Sequence, residues 1–129
     1  MKKILALLFF ITALSAQAQH PQEQPVVDSI KVSGKLIKKI EKGEILLIDV
    51  RTPEEYKAGH LKYSSNIDYK NEQFKTETEK LDKNKTVYVY CRSGNRSSKS
   101  AEILKAQGFK HVYNIGGLEY LKKLGLPAE

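Results

Sequence analysis

The sequence holds one cysteine, Cys91, and only three histidines, His20, His60 and His111. A single cysteine closes no intramolecular disulfide, so Cys91 is either an inert buried thiol or a reactive one. Scattered histidines, with no cysteine or carboxylate cluster at ligand spacing, argue against a metal centre, and no cofactor is expected. Runs of one charge sign are also missing. The chain has 22 basic and 15 acidic residues and a net charge of +7, but lysines alternate with glutamates, as from Lys75 to Lys80. That pattern fits a solvated surface rather than a nucleic-acid-binding face, although the positive excess helps attract small anions. There is no internal repeat.

Long apolar runs are absent except near the start, where Ile4 to Leu14 follows Met1-Lys2-Lys3 and precedes Ala16-Gln17-Ala18. This stretch is shorter than the roughly 20 residues of a membrane-spanning helix. It has the basic, apolar and small-residue regions of a secretory signal peptide, with cleavage expected near Ala18. No cysteine stands at that position to take a lipid. The expected product is exported, periplasmic or secreted, with no membrane contact after cleavage. Residues 19–27, with two prolines and few apolar groups, read as a flexible leader. Residues 28–127 suffice for one core and leave no room for a second domain, and a monomer is expected.

Two β-branched runs stand out in this domain. Ile45 to Val50 lacks polar alternation, as a central strand covered on both faces would, and Thr86 to Tyr90 is a second strand. Ser29–Val32, Ser65–Ile67 and His111–Ile115 are weaker strand candidates. Helices are expected over Lys35–Lys42, after the capping box Thr52-Pro53-Glu54-Glu55, over Glu72–Leu81, over Ser97–Gln107 and over Leu118–Leu124. The alternation predicts an α/β domain with a central, mainly parallel five-stranded sheet and helices on both faces. Ligand sites in such sheets lie beyond the strand C-termini.

Cys91-Arg92-Ser93-Gly94-Asn95-Arg96-Ser97 occupies that position. A strand, a tight glycine-containing loop and a helix N-terminus form a cup whose N–H groups converge, with a stabilised thiolate at its rim. Charge-assisted hydrogen bonds contribute roughly 1.5–3 kcal/mol each, and one pKa unit is about 1.4 kcal/mol. One or two such bonds therefore favour thiolate at neutral pH unless desolvation cancels them. Arg92 and Arg96 add positive charge and forked donors suited to an oxyanion.

This loop resembles the active-site loop of rhodanese-domain sulfurtransferases. Ile48-Asp49-Val50-Arg51, Glu55-Tyr56, Gly59-His60-Leu61 and Asn66-Ile67 are similar to that family's N-terminal signature. Gly108-Phe109, Val112-Tyr113-Asn114, Gly116-Gly117 and Gly125-Leu126-Pro127 are similar to its C-terminal signature. Lys62-Tyr63 and Leu121 depart from it, where the family commonly has proline-glycine and tryptophan. The resemblance implies a rhodanese-like fold and a catalytic Cys91 that carries sulfur as a persulfide. It also implies a substrate-binding loop of Arg92, Ser93, Gly94, Asn95, Arg96 and Ser97. The expected partners are a small anionic sulfur donor such as thiosulfate and a cyanide or thiol acceptor, a protein sulfur acceptor included.

Other polar residues of these signatures read first as structural. His60 belongs to a turn, Asp49 and Arg51 to a buried ion pair, and Glu55 to a helix cap with Arg51 as a possible partner. Two rivals share the loop. A cysteine phosphatase or arsenate reductase frames its anion with five residues between cysteine and arginine, whereas four separate Cys91 from Arg96. A non-catalytic rhodanese-like binding module often lacks the cysteine.

Overall fold

The computed structural model describes residues 24–129. The expected signal peptide and residues 19–23 of the expected leader lie outside the described residues. The elements run α1 (Gly34–Glu41), β1 (Ile45–Asp49), α2 (Pro53–Ala58), β2 (Ser65–Asn66), α3 (Phe74–Glu79), β3 (Thr86–Cys91), α4 (Asn95–Ala106), β4 (His111–Gly117) and α5 (Leu118–Leu124). Local chemistry sets several boundaries. Ser33 caps α1 through Leu36 N–H at 3.1 Å, and Thr52 and Glu55 satisfy each other's backbone at the start of α2.

The sheet is parallel throughout, in the order β2-β1-β3-β4. Its two central strands explain the unbroken apolar run of β1. Ile48, Val50, Val87, Val89 and Cys91 face Phe74 of α3 and Ala101 and Leu104 of α4. Ile45, Leu47, Tyr90 and Ile115 face Ile40 of α1 and Leu121 of α5. Leu121, at one of the two departures from the family pattern, is fully buried. Burying a leucine of this kind stabilises the fold by about 1.5–3 kcal/mol.

Four strands, rather than the expected five, form the sheet among the described residues. Ser29–Val32 does not pair. Its approach to β4 stops at Asp28, whose N–H donates to Asn114 O at 2.7 Å and whose carboxylate accepts from Asn114 N–H at 3.0 Å. Beyond that clasp Ile30 and Val32 pack through their side chains onto the α1/α5 face, and the chain turns into α1.

β4 carries an irregularity that matters for the site. Val89 lies opposite Asn114 and Tyr90 opposite Gly116, so Ile115 has no counterpart on β3. The shift brings Gly117 beside Cys91. A Cβ at Gly117 would lie 2.3 Å from Arg92 O, so only glycine lets the two backbones approach this closely.

Candidate active site

Cys91 is the last residue of β3, and the chain reaches α4 in three residues. Gly94 makes this turn possible by adopting φ 96°, the left-handed region, at the N-cap of α4. The helix begins at Asn95, two residues earlier than the sequence pattern indicates, because Gly94 caps by conformation rather than by a side chain. Arg96 and Ser97 therefore sit in the first turn.

The thiol lies at the floor of the cup, fully buried, and not at its rim. Its surroundings are polar on the loop side. Gly94 N–H donates to Sγ at 3.0 Å, and Ser97 Oγ is 3.3 Å away. Burial alone pushes the Cys91 thiol up, but the Ser97 hydroxyl and the N–H groups of Ser97, Ser93 and Gly94 outweigh it and hold the thiol below its ordinary value. An inert buried cysteine would lack these donors.

The two loop arginines have different fates. Arg92 is exposed and makes no ion pair among the described residues. It borders an open depression of about 410 Å³ together with Ser93, Val27, Gly116 and Tyr120. Arg96 instead spends its fork on Glu55, with Nη1 to Oε1 at 2.7 Å and Nη2 to Oε2 at 3.0 Å. Glu55 is thus the partner of Arg96, not of Arg51, and ties α2 to α4. Asn95 and Ser93 are exposed, whereas Ser97 is buried.

Arg96 holds the Glu55 carboxyl down at about 2, helped by Thr52 and opposed by partial burial. A carboxyl lowered on folding stabilises the protein above its unfolded value, 4.5, and loses that contribution as pH falls toward about 2. Wild-type melting temperature is expected to fall across that window, and Glu55→Gln to show a flatter curve there. Thermal melts at stepped pH check this; parallel curves for the two proteins would contradict it.

The remaining signature residues brace the loop after β1. Asp49 and Arg51 form a buried two-point pair, with Nε to Oδ1 at 3.0 Å and Nη2 to Oδ2 at 2.7 Å, and Arg51 Nη2 also donates to Gly59 O at 2.7 Å. Asn66 Nδ2 donates to the carbonyls of Asp49 and Arg51 at 3.0 and 2.8 Å. His60 stacks on Tyr56 with centroids 3.7 Å apart, and its ring nitrogens face Tyr56 O and Glu129. None of these contacts reaches Cys91.

Asn114 is a residue of the site that sequence reasoning did not single out. It lies 17 positions from Ser97, yet its Oδ1 accepts the Ser97 hydroxyl at 2.6 Å. Its place in a matched signature was the available signal, but a strand asparagine gives no hint of such a pairing. Val27 also reaches the site, and would lie within 3.3 Å of a Cβ at Gly94.

A parallel α/β sheet whose third strand ends in a single thiol, held by a main-chain N–H at the N-terminus of the next helix, defines an α/β domain with a cysteine loop. The chain belongs to the rhodanese-like domain family, whose model matches residues 33–123. It is 44% identical over 72 residues to thiosulfate sulfurtransferase PspE of Escherichia coli K12, covering 56% of this chain and 69% of that one. With thiosulfate sulfurtransferase GlpE of Coxiella burnetii the identity is 38% over 84 residues, covering 64% and 77%. A tRNA uridine(34) hydroxylase of Pelagibacter ubique is 38% identical over 90 residues, but the match spans only 30% of that protein. Among solved structures, a rhodanese with anions from E. coli is 40% identical with a TM-score of 0.56, covering 66% of this chain and 96% of that one. The Alr3790 protein of Anabaena is 29% identical with a TM-score of 0.63, covering 74% and 87%.

Proposed function

We propose that the protein is a sulfurtransferase that moves sulfane sulfur from an anionic donor such as thiosulfate to a thiophilic acceptor through a Cys91 persulfide. The observation that carries this reading is the Gly94 N–H donating to the Cys91 sulfur at 3.0 Å at the start of α4, with Ser97 Oγ 3.3 Å away. The thiolate attacks the outer sulfur of thiosulfate, a new S–S bond forms, and sulfite leaves with the electron pair of the broken bond. Cyanide or a thiolate then takes the outer sulfur and returns Cys91 as thiolate. The charge of three minus is conserved in the first step, and no general base is needed. The loop N–H groups hold the persulfide as they hold the thiolate.

Arg92, without an ion-pair partner among the described residues, receives the sulfonate end of the donor, because Arg96 is occupied by Glu55. That pairing also weighs against phosphate transfer, which needs the loop arginine on the phosphate. A non-catalytic module would have no use for a thiol kept below its ordinary value. Relatives named thiosulfate sulfurtransferase support the same chemistry. Export, supported by the stretch from Ile4 to Ala18, puts the exchange outside the cytoplasm. The acceptor is cyanide or a thiol, a protein thiol included, and the protein acts as a monomer.

Incubation with thiosulfate is expected to add one sulfur to the intact mass, and cyanide to remove it as thiocyanate. Hydrolysis of an aryl phosphate without any mass change would favour the phosphatase, and neither signal would favour a binding module.

A further inference from the structure

Asn114 lies outside the Cys91 loop, yet its amide holds that loop to β4. Nδ2 donates to Val26 O at 2.9 Å and to Gly94 O at 3.1 Å. Oδ1 accepts from Gly116 N–H at 3.2 Å and from the Ser97 hydroxyl at 2.6 Å. Two carbonyls on one side and an N–H on the other fix which end of the amide is which.

The Ser97 hydroxyl has one proton. While that proton is on Asn114, Ser97 offers Cys91 only lone pairs, and the 3.3 Å between Oγ and Sγ is bridged by the thiol's own proton. A thiolate has no proton to give. It gains a charge-assisted bond only if the hydroxyl turns away from Asn114.

We propose that Asn114 is a positioning residue that competes with the Cys91 sulfur for the Ser97 proton, holding it while Cys91 is a thiol and yielding it when the thiolate forms. Ionisation releases the thiol proton to water, and the hydroxyl rotates without breaking a covalent bond. In a persulfide most of the charge sits on the outer sulfur, so the hydroxyl returns to Asn114. Asn114 therefore disfavours the empty thiolate relative to the loaded form. That consequence rests on the proposed sulfur transfer; the competition itself does not.

None of the charged and titratable groups around the loop bonds to the Asn114 side-chain amide. They are Arg96 of α4 paired with Glu55 of α2, Asp49 of β1 paired with Arg51, Tyr90 of β3, Asp28 on the Asn114 N–H, and exposed Arg92.

The test is the pH midpoint of Cys91 alkylation by iodoacetamide. Asn114→Ala is expected to lower the midpoint by about one unit, a tenfold gain in thiolate over thiol. Asn114→Asp, a stronger acceptor that adds negative charge, is expected to raise it, as is Ser97→Ala. In a Ser97→Ala background Asn114→Ala should no longer lower it. A merely structural asparagine predicts instead that Asn114→Ala and Asn114→Asp move the midpoint the same way, with the loosened loop losing its N–H donors. That result, an unmoved midpoint in Asn114→Ala, or a lowering that persists without Ser97 would overturn the inference. Sulfur loading measured by mass in the same wild-type sample is a separate readout. Its failure would strike the proposed function, whereas the midpoints judge Asn114 whether or not sulfur moves.

Discussion

Cys91→Ser is expected to leave no added sulfur after thiosulfate and to reduce thiocyanate formation to the uncatalysed background. The reason lies in the atom, not the fold. A serine hydroxyl stays protonated at neutral pH, and the N–H groups that stabilise a thiolate do not make an alkoxide accessible. The smaller side chain keeps polar partners at Gly94 N–H and Ser97 Oγ, so its buried oxygen is satisfied where it replaces sulfur. Stability should change by only about 1 kcal/mol. Intact mass, a thiocyanate assay and a melting curve on the same preparation separate these effects. Residual turnover well above background in a folded Cys91→Ser protein would exclude the persulfide route.

Gly117→Ala is expected to have the second largest effect, although residue 117 bears no reactive group. The added Cβ would lie 2.3 Å from Arg92 O and 3.0 Å from its carbonyl carbon, both backbone atoms with no rotamer to escape into. The peptide that must move carries the N–H of Ser93, one of the groups that hold the Cys91 thiol down. Overpacking of this kind costs about 1–3 kcal/mol, and a domain of this size loses roughly 4–8 °C of melting temperature per kcal/mol. Displacing one N–H donor also weakens thiolate and persulfide together. We expect turnover to fall on the order of tenfold or more and the thiol midpoint to rise. A variant that melts lower but keeps the wild-type midpoint would separate the close approach from the chemistry.

Much of the fold was legible because local patterns carried it. β1 and β3 are legible as β-branched runs, and α2 through its capping box. Ser29–Val32 misled because β-propensity says nothing about whether a partner strand is within reach; the Asp28 clasp ends the pairing there. β2 is two residues long, set by its register with Ile48 and Asp49 rather than by composition. At the site, Cys91 and its loop could be read from order along the chain alone. The Arg96–Glu55 fork and the Ser97–Asn114 bond span 41 and 17 positions, and only the assembled sheet brings their ends together. The depth of Cys91 was invisible for the same reason, since α4 and the glycines of β4 enclose it.

Everything proposed for the site requires that the loop's N–H groups overcome burial and keep the Cys91 sulfur available as an anion. Titration of this single thiol in the folded protein, by the pH dependence of alkylation or of thiolate absorbance, tests it most directly. The expected midpoint lies below the value of about 8.5 for a free thiol. A midpoint at or above about 8.5 would show that desolvation wins and that the loop does not hold Cys91 as an anion.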